Sequence, residues 1–193
     1  MSGSAAPAKR LDPGGAGGQR GEHYGRLSIA LHWLMLLLIV AVYVCIELRE
    51  AFPKGSEPRE ALKTWHYMLG LSVFALVWVR LVLHFLGPIP GIEPPPPRWQ
   101  VLASAVVHFL LYVFMIAMPL LGWLVLSAEG KPVPLFGFEL PPLAGENESL
   151  AHWAEEVHEA FGKVGYFLIG LHAAAALFHH YVLRDNTLRR MLP

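Results

Sequence analysis

The sequence predicts an all-α membrane protein, built as a single bundle of four transmembrane helices. Hydrophobic residues make up 54% of the 193-residue chain, and the mean hydropathy is +0.43, which is unusually apolar for a soluble domain of this size. Four apolar runs also reach the roughly 20 residues needed to cross a bilayer. They cover residues 27–48, 62–86, 99–126 and about 157–183.

The segment before the first run has no apolar core, so it does not resemble a signal peptide. It is rich in Gly, Ala and Arg. We therefore predict a disordered cytoplasmic tail over residues 1–25 and one transmembrane domain over residues 26–193.

The distribution of basic residues predicts the orientation. Nine Lys and Arg residues belong to the termini and to the connection between the second and third runs, against six in the other two connections. The excess favours both termini in the cytoplasm. The third connection, residues 127–156, is the longest and is rich in Pro, Gly and Glu, which is typical of a functional lid. Pro119 is expected to kink the third helix.

Two histidines on the fourth run indicate a cofactor. His158 and His172 are fourteen residues apart. In a helix this is a rise of roughly 21 Å, with the two rings directed within about 40° of each other. One helix would thus present imidazoles near both membrane surfaces, a spacing that suits two stacked haems. The chain has no Cys-x-x-Cys-His motif, so any haem is expected to be b-type.

Depth along the runs indicates which histidines can lie together. His66 and His158 both fall near the outer ends of their runs. His32 and His172 lie in the inner half, roughly 9 and 16 Å from the inner surface, and His108 lies at roughly 14 Å. Depth therefore leaves His108 open as a competitor for the inner haem. The alternative for any single membrane histidine is an interhelical hydrogen bond.

A further histidine lies close to the inner surface. His179 follows His172 by seven residues, on nearly the same helix face. It is positioned either to ligate a haem or to line a site for the head group of a membrane quinone. For His180 we expect an interfacial position, for His84 snorkelling, and for His23 and His152 a solvated role.

Several motifs resemble the bacterial cytochrome b561 family. The most specific is GYFLIGLHAAAALFHHY at residues 165–181, followed by RDNTLRRMLP at 184–193. Arg26-Leu27, His32-Trp33, the Glu47–Arg49 stretch before Phe52-Pro53, and the segments around Gly137 and His158 also match. The resemblance covers about residues 24–193.

The resemblance implies a four-helix bundle in the bacterial inner membrane that holds two b-type haems. The ligand pairs implied are His32 with His172 and His66 with His158, which makes His108 a non-ligand. Irons with two histidines each would pass electrons without binding oxygen. The implied activity is that of a superoxide:ubiquinone oxidoreductase, which oxidises periplasmic superoxide and passes the electrons through both haems to ubiquinone at the inner leaflet.

Charged residues near the outer pair bear on this activity. Basic residues there are candidates for steering the superoxide anion, whereas Glu155, Glu156 and Glu159 around His158 would repel it. The steering candidates are Arg49, Lys54 and Lys63. His179 is a candidate proton donor for quinone reduction.

Other functions remain open at this point. The main alternative is an electron-transfer cytochrome b subunit of a larger redox complex. A metal-binding or transport protein, or the same haem framework with another donor such as ascorbate, are further possibilities. Beyond superoxide and ubiquinone we expect contact with membrane lipid and none with nucleic acid, and the sequence does not indicate an oligomeric state.

Overall fold

Four long helices form the molecule, as predicted. The computed structural model describes residues 23–192, so most of the predicted N-terminal tail lies outside the described residues. The helices are α1 (Arg26–Leu48), α2 (Glu57–Leu86), α3 (Arg98–Ala128) and α4 (Glu148–Phe178). All four are long and apolar enough to cross a membrane. The prediction of an all-α, multi-pass membrane bundle is confirmed.

Helix α4 begins nine residues earlier than the apolar run predicted, at Glu148. The Asn147 side chain caps it by accepting a hydrogen bond from the Leu150 amide at 3.0 Å. Helix α2 likewise begins at Glu57, with Pro58 in its first turn. Hydropathy detects only the lipid-matched part of a helix, and in both cases polar first turns extend the helix beyond it.

The third connection is shorter and more ordered than predicted. It contains an antiparallel hairpin of β1 (Val133–Leu135) and β2 (Phe138–Leu140), whose turn residues Phe136 and Gly137 have φ of 47° and 89°. Positive φ at both turn residues is the geometry of a tight hairpin turn. The buried Val133 side chain, and a hydrogen bond of 3.4 Å from the Phe136 amide to Met68 Sδ, hold the hairpin against α2.

The helices pack in sequence order, α1 on α2, α2 on α3 and α3 on α4. Leu31, Met35, Val73 and Val77 form the core between α1 and α2. Helices α1 and α4 meet mainly through side chains, as where Tyr43 Oη donates to the Gly162 carbonyl at 2.8 Å. This arrangement leaves a central space that all four helices line.

The C-terminal segment folds back under the bundle. Helix α4 ends in a wider turn, His179–Leu183, and Arg184 then adopts the left-handed conformation with φ of 57°. Trp33 Nε1 donates to the Met191 carbonyl at 2.8 Å, and the Tyr24 amide donates to the Arg190 carbonyl at 3.2 Å. Both ends of the described chain therefore lie at the same end of the bundle.

Candidate functional site

The structure brings two histidines together near the end of the bundle that carries the hairpin. The ring centres of His66 on α2 and His158 on α4 are 6.1 Å apart, with 75° between the ring planes. His66 Nδ1 lies 3.0 Å from the Val42 carbonyl. A carbonyl only accepts, so Nδ1 carries the proton and Nε2 keeps its lone pair for a ligand.

Three histidines meet at the opposite end. The ring centres of His32 on α1 and His172 on α4 are 6.3 Å apart, at 70°. His108 on α3 lies nearer to His172, at 5.2 Å, and its Nδ1 is 3.2 Å from Ser104 Oγ. The competitor that depth could not exclude is therefore present in the inner cluster.

The distances between ring centres can be compared with the distance expected when two histidines bind one metal from opposite sides. With metal–imidazole bonds of about 2.0 Å, two rings on opposite sides of one metal would have centres roughly 6.3 Å apart. The pairs His66/His158 and His32/His172 match this separation, at 6.1 and 6.3 Å. The 5.2 Å between His108 and His172 is too short for that arrangement.

A cavity of about 350 Å³ adjoins the outer pair and is lined by both of its histidines. Gly70, one turn after His66, also lines it, and a Cβ added there would meet nothing within 4 Å. At Gly122 a Cβ would lie 3.3 Å from His158 Cε1. Gly70 therefore leaves space in the cavity for a flat ligand such as a haem, and Gly122 lets the His158 ring lie directly against α3.

Charges of both signs surround the mouth of this cavity. Arg49 and Lys163 line it, but so do four carboxylates. These are Glu47, Glu50, Glu155 and Glu159. Arg49 Nε pairs with Glu50 at 3.0 Å. The steering candidates therefore lie among acidic side chains.

The other two steering candidates lie farther from the rings. Lys63 pairs with Glu60 at 2.9 Å, and the exposed Lys54 forms no ion pair with residues 23–192. Neither lines the cavity. Arg59 is buried, and it donates to the Arg49 and Phe52 carbonyls at 3.0 Å, so its role is to hold the turn after α1.

The end of the bundle that holds the chain termini carries a second polar group, which the sequence indicated only in part. His179 Nδ1 lies 2.5 Å from Oδ2 of the buried Asp185, and because a carboxylate only accepts, the ring nitrogen donates. Burial raises the pKa of the Asp185 carboxyl, but hydrogen bonds from His179 and Thr187 outweigh burial and hold the pKa below its usual 3.8. Sequence reasoning did not single out Asp185, because an aspartate six residues after His179 is not a specific sign of a functional site.

Four membrane-spanning helices with facing histidines at two levels are the arrangement found in membrane-bound cytochromes. The chain belongs to the prokaryotic cytochrome b561 family, whose family model matches residues 23–193.

Individual relatives align over nearly their whole length. Cytochrome b561 homolog 1 of Escherichia coli is 40% identical over 89% of this chain and 98% of its own. The probable superoxide oxidase CybB of Yersinia pestis is 38% identical over 89% and 97%. Cytochrome b562 of Cereibacter sphaeroides is 30% identical over 88% and 94%. The protein is thus a multi-pass membrane protein of electron transfer, in a family that uses b-type haem.

Proposed function

We propose that the protein is a superoxide:ubiquinone oxidoreductase of the bacterial inner membrane with two b-type haems. His66 and His158 would hold the outer haem, and His32 and His172 the inner one. The observation that carries this proposal is that the ring centres of two facing histidines lie at nearly the same distance, 6.1 and 6.3 Å, at two levels of α4. The two levels are roughly 21 Å apart along the helix.

The choice of His32 over His108 rests on the same distances. Ring centres 6.3 Å apart suit two histidines on opposite sides of one metal, whereas 5.2 Å is too short for that arrangement. His108 Nδ1 also has a local partner in Ser104. We assign His108 a packing and hydrogen-bonding role next to the inner pair.

A haem held by two histidines would supply reversible one-electron transfer and would have no open iron site. The protein side chains do the remaining work. His66 is fixed in one tautomer by the Val42 carbonyl, and mostly apolar side chains line the outer cavity around the ring. Two superoxide ions lose one electron each and leave as oxygen. One ubiquinone gains these two electrons and two protons and becomes ubiquinol.

The choice of superoxide rests on similarity and on charge. A relative with 38% identity is a probable superoxide oxidase. Arg49, at the mouth of the outer cavity, is the candidate best placed to attract an anion, with Lys54 and Lys63 as more distant contributors. The excess of Lys and Arg at the opposite end of the bundle supports both termini in the cytoplasm, so the outer pair would face the periplasm.

The protons for ubiquinol would enter from the cytoplasm. His179 lies at that end, and Asp185 fixes its Nδ1 proton, which leaves Nε2 to exchange a proton with a quinone oxygen. His179 is thus the candidate for a quinone site, and Asp185 is its positioning residue.

The test is to purify the protein in detergent and add superoxide while recording the visible spectrum. We expect rapid haem reduction that added ubiquinone reverses, a haem-to-protein ratio of two, and a ratio of one in His158→Ala and in His172→Ala. A b-type spectrum that does not respond to superoxide would reject the substrate and keep the cytochrome. Absence of haem would reject the whole site.

The alternative function, an electron-transfer subunit of a larger complex, is favoured by one observation. Four carboxylates line the mouth of the outer cavity against two basic residues, which suits a cationic protein donor better than an anion. In that case superoxide would not reduce the haems of the isolated protein. A soluble basic redox protein would reduce them instead, at a rate that depends on salt concentration.

A further inference from the structure

Arg80 and Arg190 lie beside the face of α1 that carries His32. Both lie between His32 and the end of the bundle that holds the chain termini. Tyr24, Ser28 and His32 are spaced four residues apart, so they lie near one face, with Tyr24 just before the helix begins. Arg80 Nη1 lies 3.4 Å from the Ser28 carbonyl. The Arg190 guanidinium lies 5.7 Å from the centre of the Tyr24 ring.

Neither guanidinium has a carboxylate partner among residues 23–192. Arg190 is only 8% exposed, its Nη1 donates to the Pro90 carbonyl, and its Nε is buried without a hydrogen-bond partner in that part of the chain. Arg80 lies within membrane-spanning α2, where it has a long contact to the Ser28 carbonyl and the Tyr112 hydroxyl beside it, both of them uncharged. A cation that is buried, as in Arg190, or that lies within a membrane span, as in Arg80, is costly unless an anion compensates it, so both arginines are expected to have an anionic partner.

We propose that Arg80 and Arg190 bind the two propionate carboxylates of the inner haem. The proposal rests on the proposed ligation of that haem by His32 and His172. Haem b carries two propionates on one edge, and the guanidinium group is the side chain best suited to bind a carboxylate. The positions of the arginines would turn this edge towards the cytoplasmic surface.

The main competing anion is a lipid phosphate of the inner leaflet. Phosphates lie in the head-group layer, where exposed basic side chains such as Arg184 and Arg189 meet them. Arg190 is buried beside the Tyr24 ring, so a lipid phosphate has little access to it. Burial therefore favours a ligand inside the bundle.

Haem reduction potentials test the proposal without relying on activity. A cation beside a propionate favours the reduced haem, which has one positive charge fewer. Arg190→Gln and Arg80→Gln should each lower the midpoint potential of the inner haem only. We expect a shift of about tenfold in the reduction equilibrium, which is about 59 mV for a one-electron couple. Arg190→Lys should restore part of the potential.

The controls separate this proposal from the proposed function. Arg189→Gln removes an exposed charge from the neighbouring position and should leave both potentials unchanged. Repeating Arg190→Gln in a His158→Ala background, which should keep only the inner haem, identifies the haem that responds. If the wild-type protein binds two haems and Arg190→Gln changes neither potential, the arginine assignment is wrong. If the wild-type protein lacks a second haem, the proposed ligation is wrong instead.

Discussion

Gly122 on α3 lies against the His158 ring, and replacing it with valine should remove the outer haem and keep the inner one. A Cβ at Gly122 would lie 3.3 Å from Cε1 and 3.7 Å from Nδ1 of His158. Valine adds methyl groups about 1.5 Å farther out. Restoring a contact of about 3.5 Å would then force the ring back by more than about 1 Å. A metal bond of about 2.0 Å cannot absorb this displacement.

The measurement is the ratio of haem to protein, together with a redox titration of the purified variant. We expect the ratio to fall from two to one, with the remaining midpoint equal to that of the inner haem. Gly122→Ala needs a ring shift of only a few tenths of an ångström and should keep both haems. Ala105→Val adds the same two methyl groups at an exposed position of α3 and serves as the control. A valine variant with two haems and unchanged potentials would refute the assignment of His158.

Three further predictions concern the α1–α4 contact and the C-terminal segment. Gly165→Ala should lower the free energy of unfolding by about 1–3 kcal/mol or more in thermal melts, because a Cβ there collides with Tyr43 and Phe114. Tyr43→Phe removes the bond to the Gly162 carbonyl and should cost about 0.5–1.5 kcal/mol in the same assay. The lowered pKa of Asp185 means that its carboxylate stabilises the fold above its usual pKa of 3.8, and that this stability is lost as the pH falls through the lower folded value. Melting temperatures measured across that range should fall less steeply in Asp185→Asn, and parallel curves would contradict the prediction.

The sequence predicted the C-terminal ends of the first two helices better than the start of the fourth. The apolar runs 27–48 and 62–86 end where α1 and α2 end, at Leu48 and Leu86. The start of α4 was misplaced because its first turns are polar and are set by the Asn147 cap, which hydropathy does not detect. The hairpin between β1 and β2 was missed for a related reason. Its strands have three residues each, too few for an alternating pattern to stand out.

The sequence by itself determined the number of membrane helices and the helices that carry histidines. Both follow from local properties, namely hydropathy over about 20 residues and the fixed rise and twist of a helix. Depth along the helices did not determine whether His32 or His108 faces His172 across a metal, because it could not exclude His108. The lateral packing of α1, α2 and α3 around α4 sets the distances between ring centres, at 6.3 Å against 5.2 Å. The tertiary structure alone brought Asp185 to His179 and left the buried Arg190 without a carboxylate partner among the described residues, since both depend on how the C-terminal segment folds back.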